Sequence, residues 1–101
     1  MLKCARKYPG YRLVITGHSL GAGSTALLAL IWLSDPDIMK HGFQAYCLAP
    51  PLSFSEDFNV HLRPYLMSCV LGNDIVPRMC FGSVKDVVAV METFVQMDSD
   101  R

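Results

Sequence analysis

The sequence predicts an α/β chain: a parallel β-sheet of three strands with two to three crossover helices. Three observations lead there. Short β-branched or apolar runs alternate with longer Ala- and Leu-rich ones, the runs stop at Gly, Pro, Asn or Asp, and the order along the chain is β-α-β-α-β-α.

Each element follows from its own residues. Arg12 to Gly17 is a β-branched run after the turn signal Pro9-Gly10, and it reads as a buried parallel strand. Leu20 to about Leu33 is too long for a strand and rich in Ala and Leu, hence a helix. Apolar residues surround most of its circumference, which predicts burial on more than one side. Ser34-Asp35-Pro36-Asp37 ends it. Phe43 to Ala49 is a second strand closed by Pro50-Pro51, and a polar connection through Ser55-Glu56-Asp57 leads into a short helix around Phe58 to Leu62. Tyr65 to Leu71 is a third strand, ended by Gly72-Asn73-Asp74. Ser83 reads as the N-cap of a closing helix from Val84 to Met97. Arg6-Lys7-Tyr8 before Pro9 reads as the tail of an earlier helix.

Composition bounds the function. With 101 residues, one small core is the limit, and a chain of that size buries only about 60 to 70% of its unfolded surface. Nine basic side chains balance nine acidic ones, and the basic ones are scattered. That excludes a nucleic-acid binder or a polybasic membrane anchor, which need clustered Lys and Arg to neutralise phosphates. A hydrophobic fraction of 51% excludes disorder. The cysteines Cys4, Cys47, Cys69 and Cys80 lie far apart with no C-x-x-C pair, so reduced thiols are expected rather than a zinc or disulfide framework. No metal and no cofactor is expected. Lys3, Arg6 and Lys7 followed by Pro9-Gly10 do not read as a signal peptide. The longest apolar stretch, Ala26 to Leu33, is far short of the roughly 20 residues a spanning helix needs. A cytoplasmic or membrane-associated location is therefore expected before a secreted one.

Gly17-His18-Ser19-Leu20-Gly21 matches G-x-S-x-G and falls between a predicted strand and a predicted helix, the context in which that pattern makes a nucleophile elbow. A serine on so sharp a turn has strained backbone angles and an exposed hydroxyl, and glycines on either side relieve crowding as the helix folds back across the strand. The first amides of the helix lack internal partners, so the Leu20 N–H is free to bind an oxyanion, aided by the helix dipole. Ala22 and Gly23 let the first turn pack closely. Taken alone, G-x-S-x-G also marks ordinary tight turns.

A nucleophilic serine needs a base and an acid, and in such sheets they follow in the order Ser, Asp, His. Asp74 follows the third strand directly and so shares the carboxyl edge with Ser19, where sites of open α/β sheets form. A turn aspartate is the alternative reading. All three histidines precede Asp74. His18 leaves the turn in another direction and reads as structural. His41 precedes the second strand, at the amino edge, roughly 20 Å from Ser19 at about 3.3 Å per strand residue. His61 lies in a helix running back toward that edge.

Val14-Ile-Thr-Gly-His-Ser-Leu-Gly-Ala-Gly23, with Ala49-Pro-Pro51 closing the next strand and Leu71-Gly-Asn-Asp-Ile-Val-Pro-Arg78 after the third, resembles the class 3 (fungal-type) lipases of the α/β-hydrolase fold, and within them most nearly the sn-1-specific diacylglycerol lipases. The likeness spans about Tyr8 to Arg78. It implies a partial α/β-hydrolase fold, Ser19 as nucleophile, Asp74 as acid, Leu20 as oxyanion donor, and an acylglycerol lipid as substrate, with membrane-surface contact through parts outside these residues. The family's histidine lies downstream of the acid and its second oxyanion donor upstream of the nucleophile strand. Residues 1–101 are accordingly expected to form part of a lipase domain, from the elbow to just past the acid. Two other readings stay open: a catalytically inactive lipase-like module, and an esterase or acyltransferase acting on other esters.

Overall fold

A computed structural model describes residues 2–99. After helix α1, Leu2–Lys7, strand β1 runs from Leu13 to His18 and feeds directly into helix α2, Leu20–Leu33. Helix α3 spans Pro36–His41, strand β2 Phe43–Leu48, helix α4 Glu56–Leu62 and strand β3 Leu66–Cys69. A 3₁₀ turn at Val76–Arg78 precedes helix α5, Phe81–Ser99. The sheet order is β1-β2-β3 and both pairings are parallel, with Gly17 opposite Cys47 and Cys47 opposite Ser68. All three strands therefore end at one edge.

Consecutive parallel strands need crossovers, and right-handed ones place α2 and α4 on the same face of the sheet. The core agrees. Ala29 and Trp32 from α2, Ile38 from α3, Phe43 and Ala45 from β2 and Leu62 from α4 form one buried cluster. Its centre is aromatic: the Phe43 ring meets Trp32 edge-on at 5.2 Å and stacks on Tyr65 at 5.2 Å. Nearer the strand ends a second cluster of Ala22, Ala26 and Cys47 brings α2 against β2. Alanines at these contacts let the helix backbone approach so closely that the Cys47 Sγ donates to the Ala22 carbonyl at 3.4 Å.

The opposite face is bare. Outward residues alternate along the strands, leaving Val14 59% and Met67 54% exposed, with Tyr46 and Leu48 between them. Helix α2 is likewise covered on one side only, so Leu27 and Ile31 stand in solvent. The helix is apolar nearly all round, but the expectation of burial on more than one side is corrected: its buried residues lie on the single side turned to the sheet and the loop after β2, because no further element packs on the other. Helix α5 has no buried residue. It extends from the rest and gives dimensions of 68 × 26 × 25 Å.

Three local expectations are corrected. The stretch around Asp35-Pro36 ends α2 and also starts α3, because the Asp35 carboxylate accepts from the N–H groups of Asp37 (3.0 Å) and Ile38 (3.2 Å) and proline is preorganised for a first helical position. The third strand stops at Cys69, short of Leu71. The last helix begins at Phe81, so Ser83 is not its N-cap. Cys80 holds that place: its Sγ accepts from the Ser83 N–H at 3.4 Å, while the Ser83 Oγ accepts from the Cys80 N–H at 3.0 Å. This is the reciprocal pattern of a capping box with sulfur in place of oxygen.

The four cysteines are free. Hydrogen bonding to the Ser83 side chain and backbone holds the exposed Cys80 thiol below its usual range, whereas burial pushes Cys47 up. The thiolate is the reactive form. Iodoacetamide near neutral pH is expected to modify Cys80 well before Cys47, read by peptide mass spectrometry. Ser83→Ala should slow Cys80 and shift its pH profile upward; an unchanged rate would contradict the capping role.

Candidate active site

The link between β1 and α2 is one residue long, and Ser19 occupies it. Its N–H donates to the Leu48 carbonyl at 2.9 Å, extending the β1–β2 ladder, while its own carbonyl accepts from the N–H groups of Ala22 (2.9 Å) and Gly23 (3.2 Å) to start the helix. Meeting both demands forces φ to 54° and ψ to −122°. A non-glycine residue there is strained by roughly 1 to 3 kcal/mol, which the strand and helix on either side must offset. A serine at a helix N-cap ordinarily turns its hydroxyl onto the next amides. Here the side chain makes no capping hydrogen bond. The hydroxyl is thereby left for other chemistry.

The flanking glycines differ. A Cβ on Gly17 would run into the Gly21 carbonyl and lie 2.6 Å from the Thr25 hydroxyl, so this glycine is what lets α2 fold back over β1. A Cβ on Gly21 would meet nothing within 4 Å. The expectation that both glycines relieve crowding is therefore corrected for Gly21, which lies on the outer side of the first helical turn. Gly23 is tight in a third way: a Cβ would come within 3.2 Å of Pro51 and 3.3 Å of Ser53. It faces the loop after β2, whereas Ala22 is the residue pressed against the sheet.

Leu20 opens α2, so its N–H has no acceptor within the helix, and the positive end of the helix dipole lies beside the Ser19 hydroxyl. The Leu20 side chain is 80% exposed. Asp74 lies in the loop after β3, at the same edge of the sheet. Two strand spacings of about 4.8 Å separate β1 from β3, so the strand ends stand about 10 Å apart. Asp74 Oδ1 accepts from the Val76 N–H at 3.0 Å, the Asx turn that its sequence context also suggested, and Arg78 donates to its backbone carbonyl. The carboxylate's second oxygen lies outside that turn bond.

The histidines are dispersed. His18 is exposed on the bare face of the sheet, the side away from α2, where no packing assigns it a structural role. His41 ends α3 at the amino edge, and His61 sits exposed in the last turn of α4. None of the three occupies the edge loop that carries Asp74. Among the described residues no group of three or more His, Cys, Asp or Glu side chains could hold a metal, and no helix is long and apolar enough to cross a membrane.

Sequence reasoning missed what the loop after β2 does. Ala49 takes a positive φ of 50° while donating its N–H to the Cys69 carbonyl at 2.8 Å. Pro50, Pro51 and Phe54 then wall an open, mainly apolar pocket of about 260 Å³, shared with Ala26, Leu66 and Val70. Its one sequence signal was the Ala-Pro-Pro run, since a residue before proline is itself restricted. Leu71 and Ile75 add exposed apolar side chains between β3 and the 3₁₀ turn.

Residues 1–84 match the family described as lipase (class 3). Diacylglycerol lipase-beta of Mus musculus is 35% identical over 81 residues, covering 78% of this chain and 11% of that protein. Diacylglycerol lipase-alpha of Homo sapiens is 34% identical over 70 residues, or 68% of this chain and 6% of that one. Among solved structures, lipase II from Rhizopus niveus aligns with a TM-score of 0.66 at 21% identity, covering 76% of this chain and 31% of the lipase chain, so the two share a fold. The chain spans only a small part of each of these relatives.

The two glycines of the turn should separate experimentally. Gly17→Ala is expected to destabilise the chain by about 1 to 3 kcal/mol through overpacking, and Gly21→Ala to leave it unchanged or raise it by up to about 1 kcal/mol through better helix propensity. Urea denaturation followed by circular dichroism reads both; equal losses would contradict the turn geometry.

Proposed function

We propose that this chain, which belongs to the class 3 lipase family, carries the nucleophile, the acid and one oxyanion donor of a serine ester hydrolase site acting on acylglycerols. The observation that carries the reading is the backbone of Ser19: a strained one-residue turn whose hydroxyl is withheld from capping and set beside a free helix amide. A structural N-cap would have no need of that strain.

In this reading Ser19 Oγ attacks the ester carbonyl as its proton passes to a histidine, the Leu20 N–H binds the oxyanion, and Asp74 holds and stabilises the imidazolium. The imidazolium protonates the departing glycerol oxygen, and water then releases the fatty acid from the acyl-serine. Given where His18, His41 and His61 lie, the base comes from outside the described residues. Residues 1–101 then act as one part of a lipase domain, from the elbow to just past the acid.

The substrate class rests on apolar surface. Leu20, Leu71 and Ile75 are exposed near the site, and the cavity beside Pro50-Pro51 is lined mainly by carbon. Both suit an acyl chain better than a charged ligand. The diacylglycerol lipases among the relatives put diacylglycerol first among acylglycerols. The exposed apolar rim also suits work at a lipid surface. Nothing in the balanced, scattered charge favours nucleic acid. The placement of the histidines favours a second reading, a lipase-like module without activity of its own.

A fluorophosphonate probe tests the assignment. Prolonged incubation is expected to label the chain at Ser19, mapped by tandem mass spectrometry, and Ser19→Ala should abolish labelling while Ser24→Ala retains it. Labelling that persists in Ser19→Ala would remove the nucleophile assignment, and no labelling at all would favour the inert module.

A further inference from the structure

Helix α5 is 19 residues long, about 28 Å, with no residue buried against the rest of the chain. Such a helix in isolation is marginal in water, and most helical stability in proteins comes from packing an apolar face. Its sequence supplies that face. Val84, Val88, Met91 and Val95 recur at spacings of four, three and four, the a/d pattern of a coiled-coil seam, and all are exposed.

The residues flanking the seam specify what covers it. Lys85 and Glu92 occupy the same flanking position one heptad apart, and Val87 and Phe94 occupy the other. In an antiparallel pair centred between Ala89 and Val90, Val84 meets Val95 of the second copy and Val88 meets its Met91. The same register sets Lys85 of each copy beside Glu92 of the other, twice by the two-fold axis, and packs Val87 against Phe94 along the opposite flank. A parallel pair would place Lys85 against Cys80 and Glu92 against Val87, leaving both charges without opposites. A lipid surface fits less well, because α5 carries Asp86, Glu92 and Asp98 against Lys85 alone and an anionic bilayer would repel it.

We propose that α5 is a self-association helix, through which two copies of this chain pair antiparallel along the Val84–Val88–Met91–Val95 seam with reciprocal Lys85–Glu92 ion pairs. The inference is independent of the hydrolase reading, since no residue of the seam belongs to the candidate site.

Sedimentation equilibrium of the full 101-residue chain over micromolar to millimolar concentration tests it. A monomer–dimer equilibrium is expected. Val88→Asp should abolish the dimer while circular dichroism shows the sheet domain intact, because Val88 is about half exposed and belongs to neither core cluster of the sheet. Lys85→Glu and Glu92→Lys should each weaken the dimer about tenfold by turning two attractive pairs repulsive, and the double swap should restore it to near wild type. A chain that stays monomeric throughout overturns the proposal. So does a dimer that survives Val88→Asp but is lost in Met67→Asp on the bare sheet face, or a double swap that fails to rescue.

Discussion

Everything at the candidate site depends on one residue meeting two hydrogen-bonding patterns at once. Ser19 completes the parallel ladder through its N–H and begins α2 through its carbonyl, with no intervening residue to share the change of direction. The positive φ follows from that, and so does the close approach of the first helical turn to β1, which Gly17 alone makes sterically possible. The uncapped hydroxyl, the free Leu20 amide and the helix dipole are then consequences of one turn. Parallel register does the rest: because β1, β2 and β3 run the same way, the loop carrying Asp74 emerges at the edge where Ser19 sits.

The stabilising interactions are as one-sided as the sheet. Helices α2, α3 and α4 cover one face with an aromatic and alanine-rich core, and there the strands alternate between buried and exposed. Parallel sheets in α/β proteins are normally covered on both faces. Val14, Tyr46, Leu48 and Met67 instead form an open apolar surface, and α5 a second one. The Ser19 turn is thus anchored on its well-packed side, through Ala22, Ala26 and Cys47, while these elements leave its other side uncovered.

Much of this was legible in the sequence, because the elements that position the site are also the ones with the strongest local signals. The β-branched run before Gly17 and the Ala-Leu run after Leu20 give β1 and α2 almost to the residue, and the Phe43 run gives β2. Where the reading failed, two roles competed at one residue. Asp35 and Pro36 are turn formers and also good helix starters, and only the hydrogen bonds to Asp37 and Ile38 decide between them. Ser83 is a good N-cap by type, yet Cys80 takes that place and leaves Ser83 to answer it from the first turn. Gly21 looked equivalent to Gly17 in the motif, but which of two glycines faces the strand depends on helix phase, which the pattern G-x-S-x-G does not state. The pocket beside Pro50-Pro51 is assembled from α2, the loop after β2, α4, β3 and the segment beyond it, and the Ala-Pro-Pro run marks only one of these.

The central claim is that Ser19 and Asp74 form two parts of one site that wants an imidazole between them. Chemical rescue addresses it directly: hydrolysis of p-nitrophenyl butyrate by the chain is measured with and without added imidazole, after subtracting the reaction of imidazole alone. Imidazole is expected to accelerate hydrolysis by the unaltered chain, an effect that disappears in Ser19→Ala and falls several-fold in Asp74→Ala. Acceleration that is the same in all three proteins would contradict the claim.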